Sequence, residues 1–303
     1  MQTASASARS CAVTDYAVLF RELAIPRLVG TANHARVREV LKRELRARGF
    51  SVEEHRFAGR PARVLFGVPR VVNGVNLIGH SDRQAVPPST WLVGHYDSKG
   101  EPISMAVRLL GGVALLLGAV ASLLVPLIGA ALALIGLLVV LQNRVNDNSP
   151  GAVDNATALV AIFMTLDQLS GRADVGVVFP DAEEFGLVGA RALALDHTDL
   201  FPGAAVINLD GLDDAGQATA FLHRPGKTGS AVAEALQAQR WRWLPVVVDG
   251  IPLARVSREC VTILKGNWRT MRVVHRPSDT ADRVRLDGAA SVAAGLARVL
   301  RAG

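Results

Sequence analysis

Residues 91–97 read Trp-Leu-Val-Gly-His-Tyr-Asp, a short apolar run that ends at two residues able to serve a metal site, His95 and Asp97. Similar apolar runs precede other potential ligands: residues 175–179 before Glu183 and Glu184, residues 204–209 before Asp210, and residues 271–274 before His275. Runs of this length between helical stretches are typical of buried strands in an open α/β sheet. Such sheets bind their ligands at the carboxyl ends of the strands. The pattern therefore predicts a metal centre at one edge of an α/β sheet.

The segments between these runs carry helical periodicity. Thr31 is a predicted N-cap, and apolar residues recur at helical spacing until Gly49. Further helices are predicted over residues 156–169, 186–195, 230–239 and 289–300, and further strands over residues 52–57, 64–66 and 76–79. The chain is therefore predicted to form one α/β domain over residues 15–303.

Composition and charge favour a globular protein that does not bind nucleic acid. Half of the 303 residues are hydrophobic, which is ample for a core, and the net charge is +6. No block of five basic residues is present, which argues against nucleic-acid binding.

Cys11 and Cys260 lack metal-type spacing and are predicted to be isolated thiols. Residues 1–14 lack the apolar core of a secretory signal, so we expect a disordered N-terminus and a catalytic part in the cytoplasm.

One stretch does not fit a globular domain. Between Leu109 and Asn143 there are 35 residues without a charge, flanked by Arg108 and Arg144 and divided by Pro126. This composition favours a membrane segment over residues 103–142, although a hydrophobic lid or an oligomer interface would have a similar composition. Because His95 precedes the stretch and Asp154 follows it, the chain must return to the side that it left. The sequence therefore predicts a helical hairpin inserted over residues 103–146.

The lengths of the two halves leave its depth open. They measure about 25 and 22 Å as helices, against a hydrocarbon core of about 30 Å. The hairpin could span the bilayer, with local thinning, or dip into one leaflet. If it spans, the flanking arginines place the catalytic side in the cytoplasm.

The potential ligands form a complete inventory for two zinc ions. Two dications repel each other, so a close pair requires a bridging carboxylate, and each ion also needs further His or carboxylate ligands. Asp154 is the predicted bridge; the remaining predicted ligands are His95 and Asp210 for one ion, and Glu184 and His275 for the other. Asp97 is placed to orient the imidazole of His95. Glu183 remains free to act as general base.

Taken singly, each of these residues has a simpler interpretation. Asp154 before a helix is typical of an N-cap, and two glutamates at a helix start are typical of a favourable dipole interaction. Only the ordered set favours a metal site. The other histidines, at positions 34, 55, 80, 197 and 223, have no partners at ligand spacing and are predicted to lie on the surface or in loops.

Five motifs in order resemble those of the co-catalytic zinc aminopeptidases, which include aminopeptidase Y, bacterial leucyl aminopeptidases and glutamate carboxypeptidase II. The motifs are Gly-His-Tyr-Asp-Ser at 94–98, Gly-Ala-Val-Asp-Asn at 151–155, Glu-Glu-Phe-Gly-Leu-Val-Gly at 183–189, Asn-Leu-Asp at 208–210 and His-Arg-Pro-Ser-Asp-Thr-Ala-Asp at 275–282. The resemblance implies a three-layer α/β/α phosphorylase/hydrolase-like fold with a mixed sheet. It also implies the roles given above and release of N-terminal residues from peptides.

The resemblance is weakest where the substrate pocket is expected. Residues 257–268 match only loosely the relatives' segment that contains Ser-Asp-His and Gly-Ile-Pro, so the preferred substrate does not follow from it. The leading prediction is a membrane-associated dizinc aminopeptidase. Two alternatives remain. One is a glutaminyl-cyclase-like enzyme, since relatives of this fold catalyse glutaminyl cyclisation with one zinc. The other is a non-catalytic peptide-binding scaffold. Retention of both His95 and Asp210 argues for two metals and against the cyclase.

Overall fold

The computed structural model describes residues 14–62, 69–82, 87–142, 144–169, 174–242 and 247–302. Residues 1–13, which include Cys11, and the strand predicted at 64–66 lie outside this description. The strands are β1 (Phe50–Gly59), β2 (Val72–Ser81), β3 (Thr90–Val93), β4 (Val175–Phe179), β5 (Ala205–Leu212), β6 (Gln217–Arg224), β7 (Gln239–Trp241) and β8 (Glu259–Gly266). The helices are α1 (Tyr16–Leu23), α2 (Ala32–Ala47), α3 (Met105–Ala121), α4 (Pro126–Val140), α5 (Thr157–Gln168), α6 (Val188–Asp196), α7 (Lys227–Ala235), α8 (Gly250–Leu253), α9 (Trp268–Met271) and α10 (Asp287–Ala302).

The strands form one mixed sheet in the order β1-β2-β4-β3-β5-β8-β6-β7. The centre is parallel: β3 lies between β4 and β5, and β5 continues to β8 in the same direction. The chain leaves β3, forms β4 on one side of it and then crosses to form β5 on the other. Parallel strands have their carboxyl ends at one edge, so β3, β4 and β5 meet at a topological switch point.

Helices cover both faces of this sheet. Leu77, Leu92 and Ile207 pack into one core with α1, α2, α5, α7 and α10, whereas the adjacent Ile78 and Trp91 pack into a second core with α6 and α8. Alternate residues of a strand point to opposite faces, which is why runs apolar at every position build two cores. The predicted three-layer α/β/α fold is confirmed.

Most predicted elements occur near their predicted bounds, but three predictions were wrong. Residues 271–274 are not a strand: Asn267 and Thr270 form a reciprocal capping box that starts α9, and the chain continues in turns to His275. The strand of this region is β8, which ends earlier. His34 and His55 are not surface residues but are buried at 3% and 9% exposure, with Asp181 and Asp196 as respective partners.

The uncharged stretch forms α3 and α4, which pack against each other in antiparallel orientation. A Cβ atom on Gly118 would clash with the backbone of Ala133, and one on Gly136 with the backbone of Leu115. The small residues therefore lie between the helices, and the large aliphatic residues face outward. Within the described ranges, no helix combines the length and the apolar character needed to cross a membrane.

This packing predicts opposite effects for two glycines of α3 and α4. Gly112→Ala adds a methyl group that meets no atom within 4 Å apart from its chain neighbours and the backbone of its own helix. It should therefore stabilise α3 by up to about 1 kcal/mol through helix propensity. Gly136→Ala should destabilise the pair by about 1–3 kcal/mol, because its methyl group overlaps the facing backbone. Thermal melts followed by far-ultraviolet circular dichroism in detergent measure both effects. Stabilisation by both substitutions would contradict this packing.

Candidate metal centre

The carboxyl ends of β3 and β4 bring the first residues of the site together. Gly94 N donates to Val178 O at 3.2 Å, and Tyr96 N donates to Pro180 O at 3.2 Å, so the two chains leave the sheet side by side. Beyond them, Asp97 accepts hydrogen bonds from Glu183 N at 3.1 Å and Glu184 N at 3.2 Å. Asp97 thus fixes the short 3-10 turn Glu183–Phe185, in addition to facing His95 Nδ1 at 3.4 Å.

Asp210 joins them from β5. It lies inside the strand rather than after it, at a register shift between Leu209 and Leu212 where Gly211 adopts a φ of +61°. Such a bulge re-aims side chains at the rim of a sheet. Asn155 secures this position, because its side chain donates to Leu209 O at 3.1 Å and accepts from Gly211 N at 3.0 Å.

Asp154 lies in the loop before α5, and a buried arginine holds that loop. Arg27 donates to Tyr96 O at 2.7 Å, to Pro150 O at 2.6 Å and to Gly151 O at 3.0 Å. Asp279 accepts from the backbone N–H groups of Val153 and Asp154. The position of the carboxylate is therefore determined by contacts from two distant parts of the chain.

The five predicted ligands and the predicted general base, Glu183, converge into two groups that could hold metal ions. One contains His95, Glu183 and Asp210; the other contains Asp154, Glu184 and His275, and the ligand atoms within each group lie within 4.8 Å of one another. Asp154 contacts both groups, since Oδ1 lies 3.1 Å from His95 Nε2 and Oδ2 lies 3.0 Å from His275 Nε2. The structure thus brings together all seven residues singled out in the sequence, including Asp97.

The electrostatics of the cluster are those of a cation site. Burial would lower the pKa of His95, but the charge of Glu183 and the close Asp154 carboxylate raise that pKa well above 6.5. The pKa of His275 is raised well above 6.5 in the same way, because Glu184 and Asp154 outweigh burial. The pKa of Glu183 is raised well above 4.5 by burial and by the neighbouring acids. The cluster thus concentrates buried acidic groups around two imidazoles, and a cation placed there would offset their negative charge.

The donor set fits zinc. Imidazole nitrogens and carboxylate oxygens are its usual ligands in catalytic sites. Asp154 Oδ1 and Glu184 Oε1 are buried, and no donor among the described residues forms a well-aligned hydrogen bond with either, although buried acceptors are normally paired. The nitrogens that face them at 3.1 Å, His95 Nε2 and His275 Nε2, are themselves potential zinc ligands. Such atoms are available to a cation.

The sequence analysis missed three charged residues beside the cluster. Asp249, at the start of α8, is 1% exposed, and neither oxygen has a hydrogen-bond donor among the described residues. Burial and the charges of Asp97 and Asp210 raise its pKa well above 3.8, against the opposing effect of His95. The other two are Lys99 and Glu101, which are buried next to Glu184 and His275.

A signal for Asp249 was present in the sequence. It precedes Gly-Ile-Pro at residues 250–252, whereas the family resemblance aligned the pocket segment with residues 257–268, which include β8. Lys99 and Glu101 gave no such signal, because a short charged stretch after a strand is usually solvated.

Comparison with known proteins identifies the family. Residues 76–300 match the model of peptidase family M28. The chain belongs to peptidase family M28. It is accordingly a zinc-dependent peptidase. No curated protein sequence matches the chain closely enough to count as a relative.

Solved structures share the fold of this M28 peptidase at low sequence identity. Porphyromonas gingivalis glutaminyl cyclase is 18% identical with a TM-score of 0.66, and the match covers 95% of this chain and 96% of that one. A zinc aminopeptidase from Bacillus subtilis is 12% identical with a TM-score of 0.65, at 95% and 94% coverage. The LapA aminopeptidase of Legionella pneumophila is 12% identical with a TM-score of 0.62, at 94% and 70% coverage.

The role of Asp279 generates a prediction about zinc affinity. Burial and the charge of Asp154 raise its pKa to about 6, even though it accepts two backbone hydrogen bonds. Asp279→Asn would set an amide NH2 against one of those N–H groups and displace Asp154. We expect zinc affinity to fall about tenfold or more in a chelator competition assay. Asp282→Asn, at an exposed position three residues away, should leave it unchanged, and equal losses in both variants would contradict this role.

Proposed function

We propose that this M28 peptidase is an aminopeptidase that uses two zinc ions and Glu183 as general base. The observation that carries the proposal is the position of Asp154 between His95 and His275, with one oxygen towards each ring. A carboxylate in that position can bridge two cations. We assign His95 and Asp210 to one ion, Glu184 and His275 to the other, and Asp154 to both. When bound, zinc supplies electrophilic activation of the scissile carbonyl and a lower pKa for water.

Glu183 is assigned the proton transfers. Its carboxyl group lies with His95 and Asp210, and its turn is fixed by the hydrogen bond from its own backbone N–H to Asp97. Burial and the neighbouring acids raise its pKa, which increases its strength as a base. We propose that Glu183 accepts a proton from the attacking water and delivers it to the leaving amine.

Asp249 supports a substrate with a free amino terminus. A buried carboxyl group without a donor gains most from a ligand that brings N–H groups and positive charge. An α-ammonium group offers three donors and one charge. We therefore assign Asp249 to the amino terminus of the peptide.

Glutaminyl cyclisation is the second candidate, because several similar structures are described as glutaminyl cyclases. At 17–18% identity they share the fold, and this does not decide the reaction. A second set of ligands, His95 and Asp210 beside the bridging Asp154, favours two metals over one. Release of free amino acid, as opposed to pyroglutamyl product, separates the two reactions.

The test compares a peptide with a free amino terminus and its N-acetylated twin, each with the zinc-loaded protein and with Glu183→Gln. We expect hydrolysis of the free peptide alone, reduced by at least about 100-fold in the variant with unchanged zinc content. Equal cleavage of both peptides would contradict the aminopeptidase. Activity that survives in Glu183→Gln would contradict the general base. A cyclised product from an N-terminal glutamine peptide would favour the second candidate.

We further propose that the helical pair α3–α4 dips into one leaflet of a membrane. Its most exposed residues are Leu123, Leu124 and Leu127 at the tip, each 82–86% exposed. The outward-facing large residues are aliphatic on both helices, and glycines occupy the contact between them. A protein partner would cover one face of the pair, whereas lipid covers all of it. Small residues inside and aliphatic residues outside are the pattern of helices packed in lipid.

The base of the helical pair carries residues that are typical of a membrane surface. Helix α9 contacts α3, and its Trp268 is 49% exposed and followed by the exposed Arg269. Tryptophan and arginine are typical of the boundary between lipid and water. The helices have 17 and 15 residues, which correspond to about 25 and 22 Å. Helices of these lengths can enter the bilayer from one side and end within its hydrocarbon core.

This proposal predicts a lipid-dependent phenotype. The triple substitution of Leu123, Leu124 and Leu127 by Ser should reduce co-flotation with phospholipid vesicles by more than tenfold, since each leucine transferred to lipid contributes roughly 1.5 kcal/mol or more. Leu195→Ser is the matched control, because Leu195 is 77% exposed on α6. Wild-type protein that stays with the aqueous phase and elutes as an oligomer would contradict the lipid assignment and favour a protein interface.

A further inference from the structure

A chain of ion pairs connects the first turn of α3 to the metal centre. The guanidinium group of Arg108 donates to Glu101 Oε1 at 2.7 Å and lies 2.6 Å from Oε2. Its second terminal nitrogen lies 3.2 Å from His275 Nδ1. Arg108 belongs to the helical pair, whereas His275 is a proposed zinc ligand.

Glu101 is the centre of this chain. Its side chain is fully buried and is surrounded by Arg108, by Lys99 at 3.1 Å and by His275 Nδ1 at 3.6 Å. Its backbone N–H donates to His275 O at 2.8 Å, so main chain and side chain both face the same residue. Burial alone would raise the pKa of Glu101, but His275, Lys99 and Arg108 outweigh it and lower that pKa to about 2.

His275 depends on such support because its backbone does not fix it. It lies in a turn with a φ of +64°, a conformation that is uncommon for residues other than glycine and that tertiary contacts must maintain. Its Nε2 faces Asp154 and Glu184, at 3.0 and 3.1 Å. If Nε2 ligates zinc, Nδ1 carries the proton and requires an acceptor. Arg108 has only donors, so Glu101 is the group that can accept a hydrogen bond from the Nδ1–H group.

Lys99 extends the same support to a second ligand. Its Nζ lies 3.1 Å from Glu101 Oε1 and 3.3 Å from Glu184 Oε2, and it donates to Glu184 O at 3.4 Å. Glu101 thus reaches His275 directly and Glu184 through Lys99. Both belong to one metal group. Among the described residues, Glu101 forms no hydrogen bond or ion pair with His95 or Asp210 of the other group.

We propose that Glu101, held by Arg108, is a positioning residue for one of the two metal sites, the one that contains Glu184 and His275. The helical pair thereby contributes to the metal centre through its first turn. This inference rests on the proposed assignment of His275 and Glu184 as ligands. It is independent of whether the tip of the pair enters lipid.

The test is a stepwise zinc titration of the metal-free protein against a competing chelator. The variants are Glu101→Gln, Arg108→Gln and Arg108→Lys; the controls are Glu53→Gln and Arg269→Gln, at exposed positions. We expect Glu101→Gln to weaken one of two binding steps about 10–100-fold and to leave the other within threefold. Arg108→Gln should weaken the same step less, with partial recovery in Arg108→Lys, and the controls should match wild type.

The outcomes separate this inference from the proposed function. Equal weakening of both steps, or of neither, would overturn the positioning role. A wild-type protein that binds one ion, with that step weakened in Glu101→Gln, would end the two-metal proposal and leave the positioning role intact. Thermal melts of the metal-free variants detect general misfolding, and Arg108→Lys remains informative if Glu101→Gln does not fold.

Discussion

The concentration of buried carboxylates around Asp154 is the constraint on which the rest of the structure depends. Isolated carboxylates in a protein interior are destabilising by several kcal/mol each unless donors or cations compensate them. The fold provides that compensation in part, with backbone N–H groups at Asp97 and Asp279 and side-chain cations at Lys99 and Arg27. Asp154 Oδ1 and Glu184 Oε1 remain without hydrogen bonds to the described residues. The architecture is complete only with positive charge at this point.

Much of the surrounding structure can be understood as holding these charges in place. The parallel arrangement of β4, β3 and β5 brings potential ligands to one edge of the sheet, and the segments that carry the ligands have separate anchors. Arg27 anchors the loop before α5, Asn155 anchors the bulge at Asp210, and Glu101 contacts His275. These anchors are buried polar groups with several contacts each. Such groups are costly in a core and are retained where geometry must be specific.

The sequence was most informative where one periodicity determined the outcome. The runs before His95, Glu183 and Asp210 are apolar at successive positions, so their burial between two helical layers followed directly. His275 was assigned correctly to the cluster but wrongly to a strand, because four mainly apolar residues do not distinguish a strand from a turn after a short helix. Asp249, Lys99 and Glu101 were missed because their burial depends on contacts between distant loops. His34 and His55 were misassigned for the same reason: a carboxylate partner far away in the chain cannot be predicted from local spacing.

The exposed aliphatic surface of α3 and α4 is the feature least like that of other globular domains. The composition that predicted an apolar hairpin does not determine how deeply such a hairpin would lie in a membrane. The lengths of α3 and α4 favour a position within one leaflet. Arg108, in the first turn of α3, contacts Glu101 and His275. The helical pair and the metal centre are therefore physically connected.

The central claim is that Asp154 lies between two metal ions. A crystal of the zinc-loaded protein, with diffraction data collected on both sides of the zinc absorption edge, tests it most directly. The account predicts two anomalous peaks flanking the Asp154 carboxylate, one beside His95 and Asp210 and one beside Glu184 and His275. A single peak, or peaks away from Asp154, would contradict it.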